Sequence, residues 1–210
     1  MSDDKPAPIV DFAFPHNWHA EILTARPLIL PPLHFVYPRD AEEIERGALE
    51  VLIRPLPAKR SPSAQEFLAT CALGFRDAIV PTGLWSCPHP DDICAVSGGY
   101  AYIINAAAPE HFTMIAFRPV MELRSLPSQG LLLFVGHHAL LAWSANGHAW
   151  QSEKLSDEGV TITAIEAGKL HGLSWNMITD KETPFTLDLS TGRRTECRVS
   201  EVHIKKELSS

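Results

Sequence analysis

Between Gly47 and Arg54 the chain alternates, with Leu49, Val51 and Ile53 on one face and Glu50, Leu52 and Arg54 on the other. A period of two is the signature of a strand. Phe67, Ala69, Cys71, Leu73 and Phe75 repeat the pattern, so 66–75 reads as a strand although Gly74 sits inside it. From residue 81 onward short apolar runs recur: Leu84 to Ser86, Ile93 to Val96, Tyr100 to Ile104, Phe112 to Phe117 and Val120 to Leu123. Leu131 to Val135, Ala139 to Trp143, Ala149 to Ser152, Val160 to Glu166, Leu170 to Asn176 and Pro184 to Leu189 follow. Between them lie turn residues suited to hairpins, among them Asn146-Gly147, Ala167-Gly168-Lys169 and Thr191-Gly192. Strands returning about every 8 to 12 residues predict an all-β fold. The expected arrangement is two antiparallel sheets, packed as a sandwich or as blade-like sheets, with little helix. Asp40 to Ile44 is a short helix start, with Asp40 as N-cap and Glu43 three residues on. The predicted core comprises Leu49, Val51, Cys71, Leu73, Trp85, Val96, Tyr102, Ile104, Phe117, Leu133, Val135, Trp143, Ile162, Ile165, Leu173 and Leu187.

Proline divides the chain. Of 17 prolines, ten fall at or before Pro62. Residues 1–38 intersperse them with Phe12, Phe14, Trp18, Leu28, Ile29, Leu30, Leu33 and Phe35. That density excludes long helices and interior strands, while the apolar content is too high for a solvated linker. The segment is therefore read as an extended Pro-rich arm packed over the surface or an edge of a single β domain at 39–210. Packing on its own domain is preferred to crossing to a second copy, so the expected state is a monomer with a homodimer as the alternative. Residues 55–65 form a surface loop by composition.

A duplication suggests itself within the domain. Segments 47–126 and 130–193 share the order of their elements and a Gly-to-Trp step, at Gly83-Leu84-Trp85 and at Gly147-His148-Ala149-Trp150. Over residues 131–193, Ala142-Trp143 leading into Asn146-Gly147, and Phe185 through Gly192, resemble blades of repeat β-propellers of the quinoprotein or WD-repeat kind. At about 40 residues per blade, that resemblance implies five blades at most. The quinone-binding residues of such propellers have no counterpart to place. Pro81 to Pro88 and Ala95 to Tyr102 give the region from Gly47 to Gly192 a resemblance to bacterial proteins of no known function, which implies no activity.

Charge narrows the partners. With 18 basic and 25 acidic residues the net charge is −7, and the signs are mixed along the chain. No basic block is present to displace counterions from a phosphate backbone, so nucleic acid is not an expected partner. Apolar runs such as Leu131 to Val135 are far too short to span a bilayer. The start Met1-Ser2-Asp3-Asp4-Lys5-Pro6 has no export signal, and the four cysteines match neither a disulfide framework nor a zinc ribbon. A reducing, cytoplasmic setting is expected.

Candidate chemistry is sparse. Cys87-Pro88-His89-Pro90-Asp91-Asp92-Ile93-Cys94 is the densest group of ligand types, and Cys87, His89, Asp91 and Cys94 are the candidate metal set, with zinc as the implied ion. The competing reading is a turn entering a strand whose Cys94 faces the core. Trp143, Trp150, His137 and His171 are the candidate binding residues, indoles as a stacking platform and imidazoles beside them, against plain core burial of the indoles. Ala95-Val96-Ser97-Gly98-Gly99 misses the nucleophile-elbow pattern at Ala95, and no catalytic residue is assigned. The expected function is a non-catalytic binding or interaction module without a cofactor. The alternative is a metal-dependent hydrolase built on His, Asp and Cys.

Overall fold

The computed structural model describes residues 7–39, 47–56 and 65–195. The expected helix start at 40–44, the loop tip at 57–64 and Cys197 lie outside them. The N-terminal segment supplies three strands, β1 (Ile9–Asp11), β2 (Trp18–Leu23) and β3 (His34–Tyr37). Next come β4 (Ala48–Pro55) and β5 (Phe67–Ala72). A meander follows, β6 (Gly83–Ser86), β7 (Asp92–Ser97), β8 (Tyr100–Asn105) and β9 (Phe112–Met114). A second meander comprises β10 (Glu122–Leu126), β11 (Leu131–Val135), β12 (Leu140–Ser144) and β13 (Gly147–Gln151). The last is β14 (Val160–Glu166), β15 (Lys169–Asn176) and β16 (Lys181–Asp188). Among the described residues the only helical piece is the 3-10 turn Pro127–Gln129.

These strands make four sheets where the sequence pattern suggested two. Sheet I has the order β2-β4-β5-β3, sheet II β1-β6-β7-β8-β9, sheet III β10-β11-β12-β13 and sheet IV β14-β15-β16. Neighbours are antiparallel except β1 with β6 and β3 with β5. The described part of the Pro-rich segment thus enters the sheets at their edges: β1 borders sheet II, and β2 and β3 are the two edges of sheet I. Edges are where a chain short of N–H donors fits.

Side-chain alternation stacks the sheets face to face in the order I, II, III, IV. Val51, Ile53, Phe67, Ala69 and Cys71 of sheet I meet Ile93, Ala95, Tyr102 and Ile104 of sheet II. Cys94, Val96, Ala101 and Ile103 on the other face of sheet II meet Leu132, Phe134, Leu141 and Trp143 of sheet III. Leu131, Leu133, Leu140 and Ala142 on the far face of sheet III meet Ile162, Leu170, Phe185 and Leu187 of sheet IV. Sheets II and III are therefore covered on both faces, which is why β7 and β11 read as unbroken apolar runs. Two of the three four-to-five-stranded sheets contain consecutive meanders, and this serial stacking is what gives the fold its blade-like character.

Three expectations need correction. The division between 126 and 130 cuts through sheet III, because β10 pairs with β11 across the turn, Leu126 opposite Leu131. The strand expected over 66–75 ends at Ala72, and Phe75 is exposed, edge-on to the Tyr100 ring. Leu73, Phe117, Ile165 and Leu173 are only half-buried. Leu73 lies past the end of β5, and Leu173 falls on the outer face of sheet IV, where no further sheet among the described residues covers it.

The parallel contact of β1 with β6 depends on Gly83, which lies opposite Ile9. A Cβ there would stand 2.0 Å from the Ile9 carbonyl oxygen. Gly83→Ala is expected to push β1 off the sheet edge and to lower stability by about 1–3 kcal/mol in a denaturant titration, with faster amide exchange over Ile9–Asp11. An unchanged midpoint with unchanged protection of β1 would contradict this packing.

Candidate functional site

Sheet I is the end of the stack, and the chain handles its outer face in an unusual way. Alternation sends Leu49, Val51 and Ile53 inward and so turns Glu50 outward, yet Glu50 is only 7% exposed. The connection from β2 to β3, residues 24–33, runs over that face as a strap. Arg26 Nε donates to Glu50 Oε1 at 2.9 Å, and Thr70 Oγ1 donates to Glu50 Oε2 at 2.6 Å. Arg26 Nη2 donates to Thr70 Oγ1 at 3.2 Å, and His34 Nε2 lies 2.8 Å from the same oxygen. A hydroxyl has one proton, and Glu50 takes it; both nitrogens must therefore donate, which assigns the His34 proton to Nε2. Burial and the nearby Arg26 charge hold the His34 pKa below its ordinary value, burial being the larger cause. Charge-assisted bonds of this kind contribute about 1.5–3 kcal/mol each when buried, less here because the Arg26 side chain is 38% exposed.

The latch fixes one end of the strap, and at the other the Leu33 carbonyl accepts the Leu68 N–H at 3.0 Å while the Leu33 side chain packs on the core. Between these anchors stand Pro27, Leu28, Ile29, Leu30, Pro31 and Pro32. Leu28 is 104% exposed and Ile29 is 89% exposed. Three prolines restrict the backbone, and the central aliphatic side chains project into solvent. Period-two reading found Glu50 on the outer face but not the strap that buries it. The available signal was a lone carboxylate in an otherwise aliphatic strand, with Arg26 at the head of the apolar, proline-bracketed run.

The candidate metal residues do not converge. Cys87 and Cys94 are fully buried in the core between sheets II and III, whereas the side chains of His89 and Asp91 lie on the loop entering β7. Asp91 Oδ1 accepts from Asn17 Nδ2 at 2.9 Å, and Asp92 Oδ1 accepts from Asn105 Nδ2 at 2.9 Å. Ala106 N–H and Trp18 Nε1–H bind the carbonyls of Asp91 and Asp92. The loop thus ties the start of β2 to the β7–β8 hairpin through its polar groups. Burial raises the Asp92 pKa and pushes both thiols well up, so the sulfurs stay protonated. Among the described residues no group of three or more His, Cys, Asp or Glu could hold a metal ion.

The four candidate binding residues lie in four separate places. Trp143 belongs to the core between sheets II and III, and Trp150 to the core between III and IV. They lie on opposite faces of sheet III and are both buried, so they form no common platform. Trp150 Nε1 donates to the Leu189 carbonyl at 2.7 Å. His171 Nδ1 is 3.0 Å from Thr186 Oγ1 on the outer face of sheet IV, and His137 stands in the β11–β12 turn, its carbonyl accepting from Gly159. Ser97 closes the β7–β8 hairpin opposite Tyr100. Among the described residues no helix is long and apolar enough to cross a membrane.

Two outcomes follow. A histidine with a depressed folded pKa leaves the unfolded chain holding more protons, so stability falls as pH drops through about 6.5 and levels off below the folded value. His34→Gln is expected to remove that part of the pH dependence in unfolding titrations between about pH 7.5 and 5; an unaltered slope would show that His34 does not carry it. Cys71, Cys87 and Cys94, all buried with raised pKa values, are expected to resist a thiol reagent in the native protein and to react on denaturation. Labelling of any of the three without unfolding, read by peptide mapping, would contradict their placement.

Neither a scan against protein families nor a search of curated proteins finds a match, so the resemblance to bacterial proteins gains no support. Among solved structures, the chain is similar to one titled "Crystal Structure of the N-terminal Domain of Nup159", at 11% identity and a TM-score of 0.37. The match covers 90% of this chain and 52% of that one, so the chain spans about half the length of that structure. The blade-like character described above rests on the chain's own stacked sheets.

Proposed function

We propose that this chain is a non-catalytic interaction module that presents the 24–33 strap to a partner protein. The observation that carries the reading is the near-complete exposure of Leu28 and Ile29 on a segment anchored at both ends. Burying each of these side chains contributes about 1.5–3 kcal/mol, and a contiguous exposed apolar run, Leu28 to Leu30, on a restricted backbone is suited to recognition. The strap is the ligand in this interaction. Its prolines limit the conformational entropy lost on docking, and an apolar groove is the surface that fits it. The mixed charge and the buried, protonated thiols suit a reducing, cytoplasmic setting, with protein rather than nucleic acid as the partner.

Ile29→Asp tests the reading, since it places a charge on the exposed centre of the strap without touching a core. Wild type and variant are used to capture proteins from extract, and any strap-dependent species is then reconstituted from purified components. The expected result is at least one stoichiometric association, with the chain itself among the admissible partners, lost in Ile29→Asp at unchanged thermal stability. Identical association by both proteins would overturn the reading.

A further inference from the structure

The strap is held by few bonds, and most of them meet at one hydroxyl. Among the described residues, the only hydrogen bonds made by residues 24–32 are those of Arg26. Beyond them the chain is fixed again, where Leu33 and His34 meet β5. A segment with so few contacts opens at a lower free energy than the sheets beneath it. Thr70 Oγ1 donates its proton to Glu50 Oε2 and accepts from both Arg26 Nη2 and His34 Nε2. Its one proton and two lone pairs are then all in use. Glu50 Oε1 is taken by Arg26 Nε.

His34 is the member of this cluster whose ordinary pKa lies near neutral. Its Nε2 already holds a proton, so a second adds at Nδ1 and makes the ring a cation. Few charged groups face that cation. Arg26 does so from the strap and Glu50 from β4, while β5 offers the uncharged Thr70. Its neighbours along β3, Phe35 and Val36, do not titrate. His19 and Glu21, on the outer face of β2, lie three strands away in the order β2-β4-β5-β3, about 14 Å off. Both Glu50 oxygens are engaged, so the cation gains no direct bond to the carboxylate. It does face Arg26, which donates to the same Thr70 oxygen. Burial, the larger cause, and the Arg26 charge together outweigh the pull of Glu50.

We propose that His34, Arg26, Thr70 and Glu50 form a proton-operated latch, in which protonation of His34 frees residues 24–32 from sheet I while the four sheets stay folded. Lifting the strap carries Arg26 away and admits water to the imidazole, so the lifted state binds the proton better than the latched one. Linkage then fixes the direction. The advantage of the latched state is full above about pH 6.5 and shrinks as pH falls below it. A latched strap is preorganised and loses less entropy on docking than a lifted one. Acid therefore weakens docking, a consequence that rests on the strap being a docking element as proposed above; the latch itself does not.

The experiment measures the distance distribution between two nitroxide labels by pulsed electron paramagnetic resonance. The full chain carries Ile29→Cys on the strap and Ile178→Cys in the β15–β16 turn, both exposed positions, with Cys197→Ser so that no other reactive thiol remains beside the buried three. A control pair, Ile79→Cys with Ile178→Cys, reports on the sheets alone. Between about pH 7.5 and 5, the share of a broad, strap-lifted component is expected to rise at least ~3-fold at unchanged far-ultraviolet dichroism, with the control pair unchanged. His34→Gln keeps a donor for Thr70 but cannot take the charge, and is expected to stay narrow at both pH values. Arg26→Gln removes the anchor and is expected to be broad at both. A strap distribution that ignores pH overturns the latch, and so does equal broadening in His34→Gln. Broadening that appears only together with the control pair and with loss of dichroism also overturns it, since the sheets would then be opening too. None of these results bears on whether a partner takes the strap at neutral pH, which the capture experiment with Ile29→Asp decides.

Discussion

Burial of sheets II and III on both faces is the constraint on which the rest of the structure depends. In β7, Ile93 and Ala95 point to sheet I while Cys94 and Val96 point to sheet III, all of them essentially inaccessible to water. β11 repeats this one layer on, with Leu132 and Phe134 facing back and Leu131, Leu133 and Val135 facing forward. Each inner sheet joins two cores, so no sheet packs as an isolated pair. With about 25 cal/mol per Å² of apolar area removed from water, two-sided burial roughly doubles what each residue of an inner strand gains relative to a strand with one wet face. The β7–β8 turn between two such strands is a tight two-residue hairpin, Gly98-Gly99, with both residues at positive φ, 56° and 75°.

The two ends of the stack must then dispose of faces that have no further sheet. Sheet IV leaves His171, Leu173 and Trp175 half-covered among polar neighbours. Sheet I instead recruits residues 24–33, and the carboxylate of Glu50 gives them something to bind. A buried carboxylate without partners would be strongly destabilising; with Arg26 and Thr70 it becomes a fixed point. The exposed aliphatic tip follows from that geometry. Anchors at Arg26 and Leu33 leave six residues to cross the gap, and three of them are prolines that hold the chain extended.

Much of the strand order was legible because period-two alternation and turn residues are local signals. β6 through β16 fall where apolar runs and Gly-containing turns place them, and the all-β class follows. The number of sheets was not legible. Whether β10 continues the first meander or opens the next depends on pairing between β10 and β11, a contact that no composition rule encodes. Cys87 and Cys94 looked like ligands because they share a short loop with His89 and Asp91, but the pleat turns the thiols into a core and the loop leaves the other two outside. Trp143 and Trp150 looked like neighbours because a hairpin joins them, and the β12–β13 bulge and pleat place them on opposite faces. The strap was visible as apolar residues among prolines. That it is held off the core, rather than laid upon it, depends on Glu50 and Thr70 being brought together by β4 and β5.

Residue-resolved native-state hydrogen exchange tests the stacked core most directly. If one chain of cores joins all four sheets, the slowest amides of β7, β8, β11 and β12 share a single opening free energy equal to that of global unfolding, with the edge strands β1, β2 and β3 exchanging faster. If sheets I and II instead open as one unit and sheets III and IV as another, with distinct free energies, the core between Cys94 and Phe134 does not couple them and the account is wrong.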